Sequence, residues 1–142
     1  MKTQTLGTML MMTIPACAVA APVDVTRGAV LKLEASAAAG GDSVVRLHGV
    51  SASGGELPIY EVFLRDARGH RARLGLISFF NETAPGAPGS GMREFPARAA
   101  LAALQGPAAA VELKPISGVA DGPVRIAPGV RVSVARAEMV QR

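Results

Sequence analysis

Two histidines, His48 and His70, and two methionines, Met92 and Met139, are the side chains beyond the first 20 residues of this 142-residue chain that could hold a soft metal. Imidazole and thioether together would suit a copper carrier. The four lie on separate segments, however, and a zinc or copper enzyme site draws three or four ligands at recognisable spacing. The spacing therefore predicts no metal centre: Met139 is expected to fill core, Met92 to belong to a loop, and both histidines to lie at the surface. Nucleophilic catalysis fares no better. Gly89-Ser90-Gly91 lacks the strand-turn-helix setting of a nucleophile elbow. Glu56 and Glu61 are carboxylates with nothing to set them apart as an acid/base pair, and Gly40-Gly41 and Gly54-Gly55 precede no phosphate-binding helix. No catalytic residue and no cofactor is expected, and the chain is read as a non-enzyme.

The elements that would position any site begin after an N-terminal segment. Lys2 followed by LGTMLMMTIPACAVA, with Ala18-Val19-Ala20 as a small-x-small cleavage signal, predicts a signal peptide over 1–20 and an exported, periplasmic or extracellular protein. The run is too short for a membrane span of about 20 apolar residues. A lipoprotein signal ending at Cys17 is the alternative. Cys17 is the only cysteine, so a chain starting at Ala21 has no disulfide and relies on its core. Without Lys2, 14 basic residues face 11 acidic ones, a net charge of +3. Arg65, Arg68, His70, Arg71 and Arg73 cluster, but Glu61 and Asp66 lie among them and the chain has no Trp and one Tyr. Nucleic-acid binding is not expected from so modest a charge with so few stacking rings.

Residues 21–28 read as a linker, and from residue 29 onward the pattern is mostly of period two. AVLKLEA places Leu31 and Leu33 inward against Lys32 and Glu34, and SVVRLHGV sets Val45 and Leu47 against Arg46 and His48. NETAPGAPGSG, 81–91, is a long exposed loop by composition. FPARAALAALQG predicts one helix over about 97–105, entered at Pro96 and ended by Gly106, with Leu101 and Leu104 on its docking side. AAVELKPI resumes alternation until Pro115 ends the pairing. In VRVSVARAEMV the apolar set moves from Val130, Val132 and Val134 to Ala135, Ala137 and Met139, which predicts a β-bulge near Ala135 or a strand ending there. Six or seven short strands with one brief helix, all within 29–142, predict a mainly β domain: an antiparallel β-sandwich.

PIYEVFLRDARGHRARLGLISFF reads as a hairpin apolar on both faces. Tyr60, Val62 and Leu64 point one way and Ile59 and Phe63 the other; Leu74, Leu76 and Phe80 share a face opposite Ile77 and Phe79. One face is enough for a core. Ile59, Phe63, Ile77 and Phe79 are therefore the candidate partner-facing residues, unless the helix or the long loop covers them within the chain.

In this order, VVRLHGV, a Gly/Ser loop, LPIYEVFLRD and RARLGLISFFNE resemble the C-terminal β-sandwich domain of tyrosinases and polyphenol oxidases. MREFPARAALAALQ stands where that domain enters its helix, AAVELKPIS resembles a later strand, and VRVSVARAEMV resembles its closing strand. The likeness runs from about Val30 to Val140. Pro96-Ala97-Arg98 departs from the acidic, β-branched helix entry, and VADGPVRIAPG lengthens the last connection. The copper-binding helical core has no counterpart, and two histidines cannot supply its six. The resemblance implies an exported accessory domain that binds, stabilises or shields a separately encoded tyrosinase-like copper oxidase. The alternative is a stand-alone envelope or extracellular binding module for copper or a surface polymer.

Overall fold

The computed structural model of the chain describes residues 21–35, 42–79, 91–117 and 122–141. Residues 1–20, where the signal peptide and Cys17 are expected, and residues 36–41, 80–90, 118–121 and 142 lie outside them, so the expectations for the signal and for most of the 81–91 loop fall beyond the described residues. Among the described residues the chain forms β1 (Val23–Asp24), β2 (Ala29–Ala35), β3 (Ser43–Ser53), β4 (Ile59–Asp66), β5 (Arg71–Ile77), β6 (Gly91–Pro96), α1 (Arg98–Ala103), β7 (Ala108–Ile116), β8 (Arg131–Val134) and β9 (Arg136–Gln141). The strands join into one sheet in the order β1-β8-β3-β9-β2-β7-β4-β5, with β6 added on β3.

The mainly β expectation holds, with nine strands in place of six or seven. The wholly antiparallel expectation does not. Leu33–Ala35 of β2 pair in parallel with Ala137–Met139 of β9, so the sheet is mixed. The cause is a strand shared between two neighbourhoods: Ala29–Lys32 of the same β2 pair antiparallel with β7. Alternation along AVLKLEA places Leu31 and Leu33 in the core as expected, but it carries no information about partner direction.

The sheet curls over a single core. Val45 and Leu47 from β3, Tyr60, Val62 and Leu64 from β4, and Val132 and Val134 from β8 belong to one buried cluster. Strands remote in pairing order meet across it: a Cβ at Gly75 on β5 would lie 2.9 Å from Phe95 Cδ1 on β6. The Tyr60 ring meets Phe79 edge-on at 6.3 Å between centroids and 83°.

The parity change near Ala135 is real, and it is matched on the neighbouring strand. β8 pairs with Ser51–Ser53 of β3 and β9 with Ser43–His48 of the same strand. Ala135 stands between β8 and β9 and donates its N–H to the His48 carbonyl at 2.8 Å. Opposite it, the buried set of β3 jumps from Leu47 to Val50 across Gly49, whose φ is +63°. Both strands flip faces at one level, so each keeps its apolar side inward through the bend.

Three local expectations change. Residues 21–28 are no linker, since β1 pairs with β8 and Val25 is fully buried. MREF of the helix-entry segment is strand, and Pro96 ends β6 instead of starting the helix. α1 is six residues long, with Ala97 at its N-cap and its Ala100 buried. Pro115 does not stop β7; it lies opposite Tyr60, and Ile116 opposite Ile59. The proline is tolerated because β2 pairs with β7 only as far as Leu113, so the flank that a β7 N–H would address there has no ladder to complete. Leu101 and Leu104 pack against the core beside β5, as the helix spacing predicts.

Candidate functional site

The structure does not gather the four sulfur and imidazole side chains. Met139 is core at 4% exposure, and Met92 is exposed on β6 at the level of the His48–Gly49 bulge. His48 Nε2 lies 3.5 Å from Glu138 Oε2, on the outer side of β3 and β9. His70 closes the β4–β5 loop: its Nδ1 lies 3.1 Å from Asp66 Oδ2. Asp66 is buried, which disfavours its charge, but the N–H groups of His70 and Arg68, at 3.0 and 2.9 Å, and the His70 ring outweigh that and hold the carboxyl below its usual range. Both polar features of this tip therefore serve the turn. No group of three or more His, Cys, Asp or Glu among the described residues is arranged to hold a metal ion. Glu56 is exposed in a turn, whereas Glu61 faces Arg73 at 3.9 Å, so the two do not form a pair.

The four candidate partner-facing residues divide between the faces of the sheet. Ile77 and Phe79 are buried at 1% and 4% exposure, and Ile77 lies opposite Tyr60 on the core side. A one-residue register shift in the β4–β5 pairing, between Val62 and Phe63, separates the parity of the two strands, which sequence alternation alone could not show. Ile59 and Phe63 stay on the outer side, half-buried. Their surroundings are charged. Phe63 stands between Arg73 and Glu112 in register, and the Arg71 guanidinium lies 4.5 Å above its ring. Glu112 accepts from Arg65 Nη1 at 3.2 Å and from Arg71 Nη1 at 2.8 Å. Among the described hairpin residues Leu76 is the exposed large apolar side chain.

Two concave surfaces among the described residues lie elsewhere, around the turn that joins β1 to β2. Val25 is the anchor: its N–H donates to the Val132 carbonyl at 2.8 Å and its carbonyl accepts from Gly28 N–H at 2.9 Å. Asp24 Oδ1 accepts from both Thr26 N–H at 2.9 Å and Thr26 Oγ1 at 2.6 Å. That short contact takes the single hydroxyl proton, leaving Thr26 Oγ1 to accept from Val132 N–H at 2.9 Å. Tyr60 donates its hydroxyl to the Thr26 carbonyl at 2.8 Å. The Thr26 hydroxyl and then its N–H hold the Asp24 carboxyl below its usual range, with the Arg131 and Arg27 charges adding to this. Burial, and then the Asp24 charge, push the Tyr60 phenol up to about 12. Three hydrogen bonds to Val132 and Tyr60 thus fix the turn to the core, and three more close it on itself.

On either side of that turn lies a cleft. The first, about 500 Å³, is lined by Asp24, Arg27, Arg131 and the 126–130 segment. The second, about 440 Å³, is lined by Val30, Arg71, Glu112, Lys114 and Pro115. Arg27 and Gly28 line both. The two clefts together present four cations against two carboxylates, and the carboxylates are engaged: Asp24 by the turn and Glu112 by two arginines. Sequence reasoning passed over this site because a two-residue strand has no period to detect. The signal that existed was Asp24-x-Thr26 with Gly28, a turn-forming set. Comparison with known protein families, curated proteins and solved structures finds no match to the chain.

Proposed function

We propose that the chain is an exported, non-catalytic binding module, its curled sheet acting as a two-layer β-sandwich that presents a rigid turn. The observation that carries this reading is the pair of clefts meeting at Arg27 and Gly28, on a turn held by the Asp24–Thr26–Tyr60 hydrogen bonds. Binding sites are concave, few and usually preformed, and the two clefts on this fixed turn have that character. The module works by recognition: fixed backbone and cationic side chains meet a ligand that the clefts admit. The test is a nuclear magnetic resonance titration of the protein with separate acidic, neutral and basic oligomers. A saturable ligand should perturb the amides of Thr26, Arg27, Gly28 and Arg131 first. Perturbation confined to the β4–β5 hairpin would reject the site.

A second reading keeps the tyrosinase-like partner. Ile59 and Phe63, half-buried beside exposed Leu76, form a narrow apolar strip on the outer side of β4 and β5 that a copper oxidase could cover. Ile77 and Phe79 do not belong to that strip. In this reading Phe63→Glu weakens co-elution with a purified oxidase lacking such a domain, while Arg27→Ala leaves it unchanged. Co-elution insensitive to Phe63→Glu would remove the hairpin from the contact.

A further inference from the structure

The geometry points to a ligand with at least two acid groups, carboxylate or phosphate, one seated in each cleft, with Arg27 as the pivot between them. The inference rests on the turn being the binding site and adds the chemistry of what binds there. Arg27 is exposed and its only described charge interaction is with Asp24, whose Oδ1 is already committed to Thr26. Arg131 stands in the same position in the first cleft. In the second cleft Lys114 makes no ion pair among the described residues, and Arg71 is held in place by Glu112 and by the Phe63 ring. Arg71 spends one N–H on Glu112 and has others to offer, since a guanidinium carries five. Each cleft therefore presents at least one uncommitted cation of its own and shares Arg27.

A single small anion would neutralise one cleft and leave the other charged. A chain with repeating acid groups satisfies both, and linking the two contacts raises affinity without new interactions. The clefts contain no aromatic platform for base stacking, so a nucleic-acid strand gains nothing here beyond its phosphates. The planar forks of Arg27, Arg71 and Arg131 match carboxylate and phosphate oxygens in pairs.

The experiment is isothermal titration calorimetry of the protein with trigalacturonate, tripolyphosphate, acetate, inorganic phosphate and the neutral trimer maltotriose, backed by the amide titration above. One or both oligo-acids should bind at the 26–28 turn at least about tenfold more tightly than the matching mono-acid, and weaken as salt is raised. Arg27→Ala should weaken that binding about tenfold or more, and Arg131→Ala and Lys114→Ala each by less. Lys32→Ala, an exposed cation outside both clefts, should leave it unchanged. Preference for trigalacturonate or for tripolyphosphate assigns the acid as carboxylate or phosphate. Maltotriose binding at the turn without any acid preference overturns the two-acid ligand and leaves the binding module standing. Absence of binding by both oligo-acids, or binding indifferent to Arg27→Ala, overturns the inference. The fold of each variant is checked by its amide spectrum, and because Arg27 is exposed, Arg27→Lys serves as a second, conservative variant with an intermediate loss.

Discussion

Tyr60 shows how a single side chain can couple the core to the candidate site. Its ring is fully buried against Phe79 and its hydroxyl reaches the Thr26 carbonyl. Tyr60→Phe keeps the ring and leaves that carbonyl without its donor, which should cost about 1–2 kcal/mol in chemical denaturation. The alkaline behaviour follows from the phenol raised to about 12. Between pH 10 and 12 the unfolded chain loses this proton while the folded chain keeps it, so the folded state binds more protons and stability falls as pH rises. Two units correspond to about 2–3 kcal/mol lost across that window. Denaturation curves at pH 9 and 12 should show this limb in the natural protein and a smaller one in Tyr60→Phe; equal limbs would sink the assignment. At this scale the sequence shows that Tyr60 shares a face with Val62 and Leu64, and the structure turns that face inward. The sequence cannot show the acceptor, which lies 34 residues away.

At the level of elements, the bend shared by β3 and the β8–β9 pair is the most readable feature and the most exposed to test. The shift of the apolar set from Val134 to Ala137 is written in the residues. So is the shift from Leu47 to Val50, once Gly49 is seen as its hinge. Gly49 has φ +63°, and a Cβ there would lie 2.7 Å from the Ala135 Cβ. Gly49→Ala should destabilise by about 1–2 kcal/mol from the backbone alone, with the contact adding to it. Ala135→Gly in the same chain should recover the contact part and not the backbone part, a partial rescue visible in melting temperature. Full rescue, or none, would show that the two strands do not meet there as described. The missed elements fail for a physical reason: β1 is two residues long and has no period, and β6, GMREFP, spaces its apolar Met92 and Phe95 three apart, which breaks strand alternation.

For the whole molecule, alternation decides which side chains go inside, and pairing order decides the architecture. Only the former is local. Leu31 and Leu33 are expected inward and are buried, yet nothing in AVLKLEA says that its second half runs parallel to β9. The candidate site was illegible for the same reason, because its two clefts are walled by segments up to about a hundred residues apart. A chain beginning at Gly28 compared with one beginning at Ala21 measures what the first segment contributes. Loss of buried Val25 and of the Thr26 hydrogen bonds should lower the melting temperature by about 10 °C or more. No change would return residues 21–27 to the status of a linker.

The Thr26–Val132 hydrogen bonds and the parallel pairing of Leu33–Ala35 have a consequence in time. They join positions 106 and about 104 residues apart, so the first strands made are completed by the last. Such closures are slow, because the entropy of a long loop is spent before its contacts form. An emerging chain can pair β4 with β5 and β7 before then, but the parallel half of β2 and the 26–28 turn wait for β9 and β8. That order ties assembly of the 26–28 turn to the arrival of Val132, so the candidate site is among the last parts of the fold to take shape.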